Sequence, residues 1–262
     1  MRLTILPAID LRGGKVVRLR QGDPARQTVF GDNPVAIARS WERAGAEWLH
    51  IVNLDGALGH SNATASASPA TRASEHLSPN LQSLAEIRAA TALPIQYGGG
   101  IRSLGDAEVV IRLGASRVVL GTVALERPEV LASVIGRFGA ARVVAALDAR
   151  DGKVSIHGWQ SMSPIDVLTA ADRVRALGAL RVLYTDISRD GMLSGINVDA
   201  TVALARNSGL RVIASGGVAS LADIRALAAR VEDGVEAVVI GQALYTGVLD
   251  LAEAIAAGAQ QR

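Results

Sequence analysis

Two short blocks place the same chemistry at two points of the chain. Asp10-Leu11-Arg12-Gly13-Gly14-Lys15-Val16 and Asp148-Ala149-Arg150-Asp151-Gly152-Lys153-Val154 share Asp, Arg, Gly, Lys and Val in register. Lys15 and Lys153 are the only lysines of the 262 residues. Each block follows an apolar run, Leu3 to Ile9 and Val143 to Leu147, so a carboxylate stands at the end of a buried strand in each half. A third carboxylate, Asp190, follows Thr185 in Thr185-Asp186-Ile187-Ser188-Arg189-Asp190-Gly191. Carboxylates facing one cavity suit acid–base catalysis, because burial holds one protonated while a neighbouring cation keeps another ionised. Spacing alone equally allows Asp10 and Asp148 to cap turns and pair with Arg12 and Arg150.

Glycine blocks carry a second chemistry. Gly98-Gly99-Gly100 is matched by Ser215-Gly216-Gly217, and Gly121-Thr122 by Gly241-Gln242. Glycine lets backbone N–H groups approach an oxyanion, and a following helix N-terminus adds favourable potential. Two such cups imply a ligand with a phosphate at each end. A cofactor is not expected, since no dinucleotide fingerprint with its downstream acid occurs. The four histidines, His50, His60, His76 and His157, lack metal-ligand spacing, so no metal is expected either. His50, Trp41 and Trp48 read as core. Trp159, in a loop from Val154 to Gln160, stands where an indole stacks on a planar substrate or packs on its own loop.

These residues need a scaffold that repeats. Gly45 to Asn53 parallels Gly178 to Asp186, so four blocks recur in the same order in two halves. Short β-branched runs alternate with helical-period segments, giving strands at 3–9, 48–54, 94–98, 117–121, 142–148, 181–187, 211–215 and 237–241. Most are apolar throughout, as in parallel strands covered by helices. Pro34 to Ala44 has helical spacing, and Ser163-Pro164 reads as the cap and first-turn proline of a helix running to Leu177. Gly45, Gly114 and Gly178 mark helix ends. The pattern predicts one (β/α)8 barrel domain over 1–262 with a two-fold half-barrel repeat; a doubly wound open sheet is the alternative. A long loop, 60–78, breaks the symmetry after strand two and serves either as an inert insertion or as a substrate lid.

Composition narrows the class. Hydrophobic residues make up 49% of the chain, enough for a sizeable core. Lys and Arg total 27 against 25 Asp and Glu, which gives no nucleic-acid or membrane surface. The absence of cysteine removes disulfides and thiol catalysis. No leader or spanning segment is legible, so a cytoplasmic protein, acting as a monomer on a small bis-phosphate substrate, is the expectation.

From Leu6 to Ala254 the chain resembles the ProFAR isomerase family of histidine biosynthesis. The resemblance rests on Pro7-Ala8-Ile9-Asp10-Leu11, Val16-Val17-Arg18-Leu19 with Gln21-Gly22, Gly98-Gly99-Gly100-Ile101-Arg102, and Thr185 to Gly191. It implies a cofactor-free Amadori rearrangement of an aminoaldose carrying a phosphate at both ends. Under it, Asp10 is the base and either Asp148 or Asp190 the acid. Thr185 orients substrate or a carboxylate, and Arg18 meets a phosphate or the carboxamide-bearing end. Asn53 departs from the family, which usually has Asp there. Three other readings are weighed. The related cyclase subunit usually has Lys in place of Arg18 and a different strand-six loop. A dual-substrate relative also isomerises phosphoribosylanthranilate. A non-catalytic phosphate-ligand sensor would use the same scaffold without the chemistry.

Overall fold

The computed structural model describes residues 2–59 and 77–259. Most of the long loop, 60–76, therefore lies outside the described residues, as do His60 and His76. The strands are β1 (Thr4–Arg12), β2 (Lys15–Arg20), β3 (Asp23–Gly31), β4 (Leu49–Asn53), β5 (Ile95–Gly98), β6 (Arg117–Leu120), β7 (Val143–Arg150), β8 (Lys153–Ile156), β9 (Ser161–Asp166), β10 (Arg181–Asp186), β11 (Arg211–Ser215) and β12 (Val235–Ile240).

Eight of them close into a parallel barrel in the order β1-β4-β5-β6-β7-β10-β11-β12, with β12 pairing back to β1. Helices cross between successive strands, which makes this the (β/α)8 fold expected from the repeat. The strands run as Val-, Ile- and Leu-rich stretches because both of their faces are covered, one by helices and one by the barrel interior.

The other four strands form two hairpins outside the eight strands read from the sequence. β2 and β3 extend antiparallel from the end of β1, and β8 and β9 from the end of β7. The half-barrel repeat thus includes a hairpin grafted onto each catalytic-face strand end. One expectation is corrected here: Ser163-Pro164 does not start a helix. Both residues lie in β9, which pairs only with β8, so the missing Pro164 N–H costs no ladder bond on the open edge. The helix begins at Val167, and Asp166 caps it by accepting from the Thr169 N–H at 2.8 Å. Val154 to Gln160 likewise begins as strand β8.

Inward-facing side chains stack in layers along the barrel axis. At the base, Arg117 lies 4.3 Å from the Trp48 ring centroid and 3.5 Å from Glu236, which also meets Arg181 at 3.2 Å. Trp48 is half-buried, packed against the apolar cluster of the barrel interior with Arg117 over its ring. Burial, aggravated by Arg181, lowers the Arg117 pKa to about 10. Above this plug sit Leu6, Val144, Ile213, Val119, Leu183 and Val239. Small residues, Ala8 and Ala146, follow directly beneath Asp10 and Asp148. Their size opens a cavity just below the two carboxylates.

Candidate active site

The cavity at the carboxyl ends of the strands has a volume of about 710 Å³. It gathers the candidate catalytic and phosphate-binding residues: Asp10, Arg18, Gly99, Gly100, Gly121, Thr122, Asp148, Trp159, Thr185, Asp190, Gly216, Gly217, Gly241 and Gln242. Barrel closure explains the convergence. Residues far apart in sequence meet because each ends a strand or begins the loop after it.

Asp10 does not pair with Arg12. Its partner is Arg18 on the neighbouring strand, with Nη1 donating to Oδ2 at 2.7 Å. The antiparallel register sets Asp10 opposite Val17, which brings the next residue, Arg18, within reach. Both side chains are only 13% exposed. Burial pushes the Asp10 carboxyl above the usual carboxylate range, and the Arg18 charge and hydrogen bond oppose that rise. The guanidinium is also steered by the Ala8 carbonyl at 3.0 Å and by the Tyr245 ring at 5.2 Å. Arg12 instead bonds Gln27 at 2.6 Å.

Asp148 is held differently. The Trp159 indole N–H donates to its Oδ2 at 2.8 Å. Thr185, its register neighbour on β10, supplies a second hydrogen bond. Burial raises the Asp148 pKa, and these two neutral donors only partly oppose it. Trp159 reaches over from the β8–β9 turn, where His157, Gly158 and Trp159 are three successive left-handed residues with φ 56°, 62° and 70°. Such backbone is unfavourable for a bulky residue and persists only when its surroundings fix it. Here they do. The His157 N–H donates to Thr122 Oγ1 at 2.8 Å, and its ring meets Glu126 at 3.0 Å. A side chain at Gly158 would press on the Ala57 carbonyl at 2.9 Å, and one at Gly22 would overlap the Trp159 ring.

Asp190 completes the set on the loop after β10. Burial raises its pKa to about 7, with the Arg18 charge lowering it and the Asp10 and Asp148 charges raising it. His50 was read as core, and it is buried, yet it also lines the cavity. Gln96 donates to its Nδ1 at 3.0 Å, which leaves the proton of the neutral ring on Nε2. Burial, reinforced by Arg18 and Arg117, lowers the His50 pKa to about 3, so the ring stays neutral. The signal that it belongs to the cavity is its two-residue spacing from Val52, which shares its face of β4 and also lines the cavity.

The two glycine cups lie on opposite sides of the mouth, after β5 and β6 and after β11 and β12. Positive φ is required at Gly99 (94°) and Gly216 (93°), and each leaves no room for a side chain. A Cβ at Gly216 would stand 2.6 Å from the Asp186 carbonyl, and one at Gly99 would overlap the Asn53 carbonyl. The cups differ in one respect. The space over Gly121 is open to 4 Å, whereas Arg18 lies over Gly241. Among the described residues, no group of His, Asp and Glu is arranged to hold a metal ion. No helix among them is long and apolar enough to cross a membrane.

Gly121→Ala is expected to raise KM by roughly 10- to 100-fold with kcat nearly unchanged, because its methyl group enters the open space over the cup and holds an anion away from the backbone N–H groups, weakening a charge-assisted hydrogen bond. Gly241→Ala is expected to lower kcat as well, because its methyl group displaces Arg18 from Asp10. Steady-state kinetics of the two variants checks this. Equal kinetic signatures would contradict the asymmetry.

Comparison with known proteins agrees with this geometry. The chain is 46% identical to the 1-(5-phosphoribosyl)-5-((5-phosphoribosylamino)methylideneamino)imidazole-4-carboxamide isomerase of Rhizorhabdus wittichii, over 97% of this chain and 98% of the relative. It is 45% identical to the isomerase of the same name from Moorella thermoacetica, covering 98% of this chain and 99% of the relative. The corresponding protein of Sphingopyxis alaskensis is 47% identical over 98% of each chain. The family model described as "Histidine biosynthesis protein" matches residues 4–250, nearly the whole barrel, and the chain belongs to that family.

Proposed function

We propose that this chain is the aldose–ketose isomerase that converts ProFAR to its phosphoribulosyl isomer. The observation that carries the reading is the arrangement of three buried carboxylates between two opposed glycine cups in one cavity. A substrate with a phosphate at each end spans the cups and lays its reacting ribose over the carboxylates. The three isomerases named above support the same substrate.

The chemistry balances within the substrate. An acid protonates the ribose ring oxygen. The C1′–O bond breaks, and the amine lone pair forms the C1′=N bond. A base removes the C2′ proton, the C2′–H electron pair forms the C1′=C2′ bond, and the C1′=N π pair returns to nitrogen to give the enolamine. Tautomerisation returns a proton to C1′ and leaves a ketone at C2′, so no external oxidant or reductant enters.

Asp10 suits the base, because the Arg18 guanidinium donates to its Oδ2 at 2.7 Å and favours the carboxylate form against the effect of burial. Asp190 suits the acid, because a pKa raised to about 7 leaves a substantial fraction of it protonated near neutral pH. Asp148 accepts from Trp159 and Thr185, which orients its carboxylate and leaves it the role of positioning the ribose and the indole. Arg18 sits over Gly241 and can meet the phosphate of that cup without leaving the site. All these groups lie on one chain, which supports a monomer being sufficient for the reaction.

Turnover of ProFAR by the purified protein tests the reading, with phosphoribosylanthranilate assayed in parallel. Conversion of ProFAR alone is the expected result. Conversion of both would make the enzyme dual-substrate, and conversion of neither would overturn the proposal.

A further inference from the structure

Asn80 is almost completely buried in the first turn of the helix Pro79–Ala90, and no catalytic role brings attention to it. Its carboxamide joins three elements. Oδ1 accepts from the Gly14 N–H at 2.8 Å. Nδ2 lies 3.0 Å from the Leu11 carbonyl, 2.6 Å from Asn53 Oδ1 and 3.0 Å from Asp55 Oδ2. Asp55 in turn accepts from the Gly13 N–H at 2.7 Å. Both N–H groups of the β1–β2 turn are thus held by side chains from other parts of the barrel. That turn joins the strand carrying Asp10 to the strand carrying Arg18, whose ion pair is 2.7 Å long.

The second half of the barrel provides the comparison. Asp151 and Gly152 occupy the place of Gly13 and Gly14, and Asp186 the place of Asn53. Asn197 donates to Asp186 Oδ2 at 2.8 Å, as Asn80 does to Asn53. Its own Oδ1, however, caps a helix by accepting from the Ala200 N–H at 3.2 Å, and does not reach the turn. The space between is a groove of about 360 Å³ bordered by Gly152, Asp186 and Asn197. The carboxamide pin is therefore present only in the half that carries the Asp10–Arg18 pair.

We infer that Asn80 is a positioning residue for the isomerisation, pinning the β1–β2 turn so that Arg18 stays in register on Asp10. The inference rests on Asp10 being the base. A buried polar network that is fully satisfied fixes one geometry, and a misplacement of about 1 Å at a reacting group costs on the order of 100-fold in rate.

The test compares Asn80→Ala with a control, Leu84→Ala, which empties apolar core on the same helix. A third variant, Asn80→Asp, keeps the acceptor for the Gly14 N–H and replaces the donor facing the Leu11 carbonyl, Asn53 and Asp55 with a carboxylate oxygen. For Asn80→Ala, kcat on ProFAR should fall roughly 10- to 100-fold with KM within about threefold. The acid limb of its pH–rate profile should move to higher pH, since a loosened Arg18 lets Asp10 take up its proton more readily. Leu84→Ala should lose thermal stability and keep both kcat and the limb. Asn80→Asp should lose kcat at least as far as Asn80→Ala, because the donor of the network is gone. Wild-type kcat and an unmoved limb in Asn80→Ala would overturn the inference, as would an equal kcat loss in Leu84→Ala. Titration of the Asp10 carboxyl by ¹³C NMR in the ligand-free proteins gives a readout independent of turnover. Its midpoint should rise in Asn80→Ala and not in Leu84→Ala, and an unchanged midpoint would overturn the inference. Should the wild type leave ProFAR unconverted, the isomerase reading fails, and this titration still decides whether Asn80 positions Asp10. If Asn80→Ala does not fold, Asn80→Ser carries the same comparisons.

Discussion

Asp10→Asn is expected to lower kcat by about 10³-fold or more while the folded protein still binds its bis-phosphate substrate. The amide keeps the size of the carboxylate and cannot accept the C2′ proton, so it removes a contribution of roughly 10²–10⁴-fold from general base catalysis. The loss extends beyond the base itself. Arg18, only 13% exposed, would be left without its carboxylate partner, and an uncompensated buried charge is strongly destabilising. A fall in melting temperature should therefore accompany the loss of rate. Binding should survive because the glycine cups on both sides of the mouth are untouched. Steady-state kinetics together with a thermal melt measure both effects. An Asp10→Asn enzyme that keeps more than about a tenth of the wild-type kcat would contradict the assignment of the base.

Asp190→Asn carries the second largest effect, and its signature lies in the pH dependence. The Asp190 pKa is raised from 3.8 to about 7, so the carboxyl is largely protonated below neutrality and loses its proton as the pH rises through about 7. A reaction that needs the proton on this group loses rate over that interval. The wild-type profile should show an alkaline limb near pH 7, and Asp190→Asn should lose both the limb and roughly 10²-fold or more of kcat. Stability gives an independent check with a definite sign. A carboxyl whose pKa is higher when folded binds its proton more tightly in the native state, so its contribution is most favourable below pH 4 and is lost as the pH rises toward 7. Relative to Asp190→Asn, the wild type should therefore lose stability between pH 4 and pH 7. Persistence of the alkaline limb in Asp190→Asn, with its loss in Asp148→Asn, would transfer the role of acid to Asp148.

Duplication made the barrel legible. A run such as Val143 to Leu147 is ambiguous alone, but its recurrence before a matching Asp-Arg-Gly-Lys block fixes it as one of two equivalent strand ends. The glycine doublets gained meaning in the same way, and all of them line the cavity. The grafted hairpins were not legible, for a physical reason. Most of β3 is exposed and carries no apolar alternation. On β9, Ser163-Pro164 imitates a helix start because a cap residue and a proline fit equally on an open sheet edge.

Partners across the hairpins were hidden for the same cause. The Arg18–Asp10 and Trp159–Asp148 contacts depend on hairpin register and on a turn of three left-handed residues, neither of which apolar spacing encodes. Asn53 was noticed only as a departure from the family pattern. In the folded chain it accepts from the Gly56 N–H at 3.0 Å and from Asn80 at 2.6 Å, so a neutral side chain serves there as a structural acceptor. Asn80 itself gave no signal, since an asparagine after a proline reads as ordinary helix-start chemistry.

The most direct test of the account is to incubate the purified wild-type protein with ProFAR and follow the ribose by NMR. The account predicts loss of the C1′ aminal and C2′ carbinol signals and appearance of a C2′ ketone, at a rate that Asp10→Asn reduces by about 10³-fold. A folded wild-type protein that binds ProFAR and leaves its ribose unchanged would contradict it.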